Sequence, residues 1–296
     1  MRKVRISTIS LYLPEGETKL KENMDRAIKA VEQALEYRPD IICLPECYPI
    51  LWSSKEDINK SVETSSDINN KMKELARKGD CYIISNILEK SNGNIYNTAF
   101  LIDRKGEITG KYSKTHLSPR ERIFKFESDL YGNSPGDKFP IFETDFGKIA
   151  IMICMDIHVV EVARIYGVKG AEILFWPTQA YGPSEDFLIT LLRSRAMDNQ
   201  MYCVASNFCK KPYHPGKEMG RACIVGLDGK IIADTGNSPG IATADIDLDE
   251  QFKLDWSYTG ELCKTLTEDM PNLKKVIYKT RRPKLYRALV KEAEHG

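Results

Sequence analysis

Apolar residues along this chain fall into two kinds of segment that alternate. Short continuous apolar runs predict strands buried on both faces, and segments with apolar positions three or four apart predict amphipathic helices. Residues 4–13 predict a strand. Residues 18–37 predict a helix with Met24, Ile28, Val31 and Leu35 on one face, broken by Pro39-Asp40. A short buried strand is predicted at 40–44, and a helix at 67–78 ended by Gly79. Strands at 82–88 and 95–103 are joined by the turn signal Ser91-Asn-Gly-Asn94. Asp103-Arg-Lys-Gly106 then turns into a strand reaching Tyr112.

The second half repeats the pattern. A strand at 149–153 is followed by a helix at about 159–168, a strand at 172–176, a helix at 184–199 and a strand at 201–207. Residues 222–226, 230–234 and 240–246 predict strands with Gly-rich turns between them. Leu227-Asp-Gly229 resembles Ile102-Asp-Arg-Lys-Gly106, so each half closes on a hairpin after its αβ units. This predicts an α/β fold of two pseudo-equivalent halves with no linker between them. The least regular stretch is 115–140, with Ser118-Pro and Gly132-Asn-Ser-Pro-Gly136. Long irregular loops inside a compact domain are often functional.

Composition narrows the function classes. The 296 residues carry a formal net charge of +1, which gives no global drive toward nucleic acid or an anionic membrane. No apolar stretch approaches the ~20 residues that span a bilayer. Met1-Arg-Lys-Val-Arg-Ile-Ser-Thr8 has basic residues but no apolar run after them, so no signal peptide is expected and the expected compartment is the cytoplasm. A reducing compartment would keep the eight cysteines as thiols. Cys43 and Cys47 are spaced C-x3-C, but the four histidines show no zinc-like spacing with them, and no metal or other cofactor is expected.

Residues 271–291 hold eight Lys or Arg and no acid. Such a run can bind nucleic acid. Val276, Ile277, Tyr278, Leu285, Tyr286 and Leu289 favour a docking arm instead, so nucleic acid is not the expected partner. The expected organisation is one domain over 1–265 and a basic arm over 266–296, packed on the domain or on a neighbouring subunit.

Candidate chemistry starts at Cys154. A cysteine is more often a small buried hydrophobe than a nucleophile, and Cys81, Cys203 and Cys223, within or opening apolar runs, are read that way. Cys154 instead ends the run Ile149-Ala-Ile-Met-Ile153 and is followed by Met155-Asp156. Groups just past the carboxyl ends of strands in open α/β sheets are where ligands bind. Two other predicted strand ends deliver partners: Ile41-Ile-Cys-Leu-Pro45 delivers Glu46, and Gly110-Lys-Tyr-Ser113 delivers Lys114. With histidine scarce, Glu46 can act as the base and Lys114 as the cation that a thiol nucleophile and an oxyanion need.

Leu44-Pro-Glu46, Lys111-Tyr-Ser-Lys114-Thr-His116-Leu117 and Ile153-Cys154-Met155-Asp156, in this order and spacing, resemble the nitrilase superfamily of carbon–nitrogen hydrolases. Arg195-Ala196 with Asn199-Gln200, and Asp228-Gly229, extend the likeness over residues 3–265. The resemblance implies a four-layer α-β-β-α sandwich that dimerises through its helical layers, often into larger assemblies. It implies Cys154 as nucleophile, Glu46 as general base and Lys114 as the group that stabilises the tetrahedral intermediate. The backbone N–H of Met155 would complete the oxyanion hole, with Asp156 in support. A second glutamate usually follows the lysine; Glu121 is the best match and Glu127 the fallback. His158 could face the pocket or simply start a helix, and Trp176, Thr178 and Gln179 are placed to line it. Val159-Val160-Glu161 departs from the aromatic-Pro-Glu often found in the family.

Cys-Met-Asp and Lys-Thr-His-Leu resemble the amidase and carbamoylase branches, whereas nitrilases usually carry Cys-Trp-Glu. The implied reaction is hydrolysis of a small amide or N-carbamyl compound through a Cys thioester, with release of ammonia or an amine. Nitrile hydrolysis or acyl transfer on the same three residues is the alternative enzyme reading. A binding protein that uses the basic arm is the non-enzymatic one.

Overall fold

The computed structural model describes residues 1–13, 19–50, 55–118, 134–182, 184–210, 218–219, 221–250 and 272–290. Strands β1 (Lys3–Leu13), β2 (Ile41–Cys43), β3 (Tyr82–Ser91), β4 (Asn94–Ile102) and β5 (Ile108–Ser113) come from the first half. They alternate with helices α1 (Leu20–Leu35), α2 (Lys55–Glu63) and α3 (Ser65–Gly79). The second half gives β6 (Phe142–Glu143), β7 (Lys148–Ile151), α4 (Val160–Val168), β8 (Ile173–Pro177), β9 (Tyr181–Gly182) and α5 (Glu185–Asn199). It continues with β10 (Tyr202–Lys210), β11 (Glu218–Met219), β12 (Cys223–Val225), β13 (Ile231–Asp234) and β14 (Gly240–Asp247).

Twelve strands form one hydrogen-bonded array in the order β5-β4-β3-β2-β1-β10-β8-β7-β6, with β14 on β1 and β12–β13 branching from β10. β1 and β10 pair only at their ends, from Ser10↔Asn207 to Leu13↔Lys210. Elsewhere the two halves diverge into facing sheets. Alternate side chains of each strand point into and out of the space between them. Ile41 and Cys43 of β2, Tyr82 and Ile84 of β3, Ile149 and Ile151 of β7, and Ile173 and Phe175 of β8 share one core between the sheets. The intervening residues point outward. Ile42 and Ile83 pack on α1 and α3, and Ala150, Leu174 and Trp176 pack on α4 and α5. Both faces of these strands are therefore dry, which is why they read as unbroken apolar runs. The result is the four-layer α-β-β-α sandwich.

Several local expectations shift. The buried stripe of α1 is Leu20, Asn23, Ala27, Val31 and Ala34, with Met24, Ile28 and Leu35 at its margin. Small residues take the centre because the helix sits close to the sheet. Gly79 lies inside α3, and Asp80 takes the left-handed position that ends it, at φ 48°. A short polar side chain tolerates that conformation. α2, with the polar sequence Lys-Glu-Asp-Ile-Asn-Lys-Ser-Val-Glu, has no counterpart in the sequence prediction. Cys81, Cys203 and Cys223 are fully buried, as their structural reading requires.

Residues 1–249 form one compact unit, and a second begins at Glu250. Its described part holds helix α6 (Leu273–Lys279), started by Asn272, whose side chain accepts from the Lys275 N–H. Short 3-10 turns follow at Pro283–Leu285 and Arg287–Val290, with Leu285, Leu289 and Val290 exposed. No helix among the described residues is long and apolar enough to cross a membrane.

Candidate active site

Each of the three candidate residues follows the C-terminal end of a strand. Lys114 comes one residue after β5, and Glu46 and Cys154 come three residues after β2 and β7. Glu46 and Lys114 meet directly. The ammonium donates to Glu46 Oε1 at 2.9 Å, and the two side chains are buried, 7% and 2% exposed. Asn97 Nδ2 donates to the same oxygen at 2.8 Å, and the backbone N–H of Gln179 donates to Oε2 at 2.9 Å.

Cys154 sits in the left-handed region at φ 45° and opens a 3-10 turn, Cys154–His158. A non-glycine residue there is strained, and such strain persists only where the surroundings enforce it. Here the enforcing contacts are named. Trp176 Nε1 donates to the Cys154 carbonyl at 2.9 Å. Asp156, wholly buried, accepts the Ile153 N–H at Oδ2, 2.8 Å away. Arg195 of α5 donates through Nε and Nη2 to the Ile157 carbonyl, fixing the far end of the turn.

Asp156 also ties this turn to the lysine. Its Oδ2 accepts from Tyr112 OH at 2.7 Å, and its Oδ1 accepts from the His116 N–H at 3.0 Å and the Thr115 hydroxyl at 3.1 Å. His116 Nδ1 lies 2.9 Å from that same Oδ1. Lys114 is thus bracketed on both sides by residues held to the segment that carries Cys154. Burial, reinforced by the Asp156 carboxylate, holds the Tyr112 phenol well above its usual range, so it remains a donor. Behind the lysine, the Gly136 N–H donates to the Lys114 carbonyl at 2.8 Å.

Trp176 and Gln179, three residues apart at the end of β8, reach the Cys154 and Glu46 segments respectively. Between them Thr178 is buried, and its hydroxyl has no hydrogen-bond partner among the described residues. His158 is exposed at the end of the 3-10 turn and stacks on Phe187, with ring centroids 6.0 Å apart. Glu121 and Glu127 lie outside the described residues. Among the described residues no group of three or more His, Cys, Asp or Glu is placed to hold a metal ion.

Sequence reasoning did not single out Asn86 and Asn97. Each is an amide inside a strand, where asparagine is disfavoured, but other polar residues share those strands and nothing in the sequence marks these two as buried. Both are buried and hydrogen-bonded to each other, Asn86 Nδ2 to Asn97 Oδ1, at 3.0 Å.

The chain is similar to known proteins over most of its length. A model of the carbon-nitrogen hydrolase family matches residues 8–251. The chain is 30% identical over 257 residues to omega-amidase NIT2 of Xenopus tropicalis, covering 84% of this chain and 90% of that one. It is 32% identical over 243 residues to nitrilase homolog 2 of Dictyostelium discoideum, covering 79% and 72%. Among solved structures, Nit3 of Saccharomyces cerevisiae, a member of branch 10 of the nitrilase superfamily, is similar with a TM-score of 0.71 and 24% identity. That match covers 93% of this chain and 96% of the other. With the family model spanning nearly all of the first compact unit, the chain belongs to the carbon-nitrogen hydrolase family, within the nitrilase superfamily.

Proposed function

We propose that this chain hydrolyses the C–N bond of a small amide or N-carbamyl compound through a thioester on Cys154. The observation that carries the reading is the buried Glu46–Lys114 pair at 2.9 Å, anchored to the same strand end that anchors Cys154. Replacing a buried ion pair by apolar residues is often neutral or stabilising, so stability alone does not account for it. Chemistry does. Glu46 takes the thiol proton of Cys154, and the thiolate attacks the substrate carbonyl carbon. The Lys114 ammonium and the Met155 N–H hold the oxyanion. The proton on Glu46 passes to the nitrogen as the C–N bond breaks, releasing ammonia or an amine. Water then attacks the thioester, giving its proton to Glu46, and the thiol is restored as the acid leaves.

The name of the Xenopus relative makes terminal amides the first class to test. Of the three residues expected to line the pocket, Gln179 is half-buried beside Glu46, while Trp176 and Thr178 are enclosed and support the site from behind.

The test is ammonia release from a panel of ω-amides of dicarboxylic acids, N-carbamyl amino acids and carbamyl amines, with Cys154→Ala alongside. Release by the wild type that vanishes in the folded variant is the expected result. Release that persists in the variant sinks the reading. Matched nitriles separate amide from nitrile preference.

A further inference from the structure

Glu46 is gripped by a closed hydrogen-bonded ring whose polarity is set by one backbone group. The ring starts at Cys47, the residue after Glu46, which is in the left-handed region at φ 46°. Its N–H points at Asn86, 2.7 Å away. A backbone N–H can only donate, so the atom of Asn86 facing it must be Oδ1. That turns Asn86 Nδ2 toward Asn97, where it must meet Oδ1, at 3.0 Å. Asn97 is then forced to present Nδ2 to Glu46, at 2.8 Å. The order donor-acceptor, donor-acceptor, donor-acceptor runs one way only and ends on Oε1.

The consequence falls on the two carboxylate oxygens. A carboxylate has about four lone-pair sites, two on each oxygen. Oε1 accepts from both Lys114 Nζ and Asn97 Nδ2, which fills its sites. Oε2 accepts from the Gln179 N–H and keeps one site. Asn86, Asn97 and Glu46 are all buried, so water cannot compete for these positions.

We propose that Asn97, polarised by Asn86, is a positioning residue that saturates Oε1 and makes Oε2 the atom of Glu46 that takes and returns the proton. The proposal rests on Glu46 being the base. It gives Asn86 an effect on the reaction although it touches neither Glu46 nor substrate.

Asn86→Asp tests it. The new carboxylate still accepts from the Cys47 N–H, but its other oxygen also accepts. Asn97 must then turn its Nδ2 toward that carboxylate and its Oδ1 toward Glu46, setting a lone pair against the base. The readout is alkylation of Cys154 by iodoacetamide as a function of pH, followed by mass spectrometry of the intact chain. This needs no knowledge of the substrate. The expected result is a folded variant whose alkylation at neutral pH is slower by about ten-fold or more, with the acid limb of the profile moved to higher pH. The carboxylate added at position 86 would by its charge alone move that limb upward. Asn97→Ala, which removes the donor without adding charge, is therefore measured beside it, and the proposal requires the same direction of movement there with a smaller shift. A profile that overlays the wild type in a folded variant overturns the proposal. Failure of the amide reading looks different: wild-type Cys154 would alkylate normally and the variants would still shift, but no amide would be turned over.

Discussion

The indole of Trp176 donates to the carbonyl of Cys154 at 2.9 Å, and Trp176 is itself 1% exposed, enclosed in the core beside α5. A strand end therefore holds the Cys154 peptide from a position that has no freedom of its own. Trp176→Phe keeps most of the ring and removes the donor. The unpaired carbonyl and the smaller ring should lower stability by about 1–3 kcal/mol. The Cys154 peptide becomes free to rotate, so kcat is expected to fall about ten-fold, equivalent to roughly 1.4 kcal/mol in the barrier, with less change in KM. Steady-state kinetics and urea unfolding measure both. An unchanged kcat would mean that the indole only fills space.

The left-handed backbone at Cys154 makes a separate prediction about stability. Strain of this kind costs about 1–2 kcal/mol for a residue with a Cβ and almost nothing for glycine. Cys154→Ala and Cys154→Gly should both be inactive. The glycine variant should nevertheless be the more stable of the two by up to about 1 kcal/mol, after its greater unfolded-state entropy offsets part of the relief. At an ordinary helical or strand position the order is reversed, so the sign of the difference in urea midpoints decides.

Gly136 packs its backbone against the lysine strand: a Cβ built there would lie 2.2 Å from the Ser113 carbonyl oxygen. Backbone cannot yield as a flexible side chain can. Gly136→Ala should push the chain away from Ser113 and break the 2.8 Å bond to the Lys114 carbonyl. Lys114 would then shift relative to Glu46. The expected outcome is a loss of kcat/KM of about ten-fold or more with a folded protein by circular dichroism, because the displaced group is the charge proposed to stabilise the transition state. Normal kcat/KM would show that the lysine is positioned from the Asp156 side alone.

These contacts also explain what the sequence could and could not disclose. The strands around Cys154 and Glu46 were legible because both faces of each are buried. The apolar run therefore stops where the candidate site starts, at Pro45-Glu46 and at Cys154. Lys114 was legible from the end of a hairpin marked by its turns. Asn86 and Asn97 were not, because a buried amide is written with the same residue as a solvated one. Only tertiary partners distinguish the two. Asp156 was visible as part of a motif, but its grip on Tyr112, Thr115 and His116 crosses some forty positions of sequence. α2 was lost because its nine residues are mostly polar. The end of α3 was misread because glycine is the usual left-handed terminator and Asp80 took that place.

The structural cysteines predict how the fold responds to alkali. Burial pushes the Cys81 and Cys223 thiols from an ordinary 9.0 up to about 12, and raises Cys43 and Cys203 in the same direction. A raised value in the folded state means that the folded protein holds its proton after the unfolded chain has released it. The stability these thiols contribute is complete below pH 9 and is lost as pH rises from about 9 toward 12. Each fully buried thiol should steepen the loss by about 1.4 kcal/mol per pH unit in that window. The buried phenols of Tyr48 and Tyr166, also raised by burial, act in the same sense. Cys223→Ala removes one such group. It should cost some stability at neutral pH through lost packing, yet flatten the dependence of unfolding free energy on pH between about 9 and 12. Urea unfolding at several pH values separates the two effects, because packing shifts the whole curve and ionisation changes its slope. A variant that runs parallel to the wild type would show that the thiol at position 223 ionises in the folded protein as readily as in the unfolded chain.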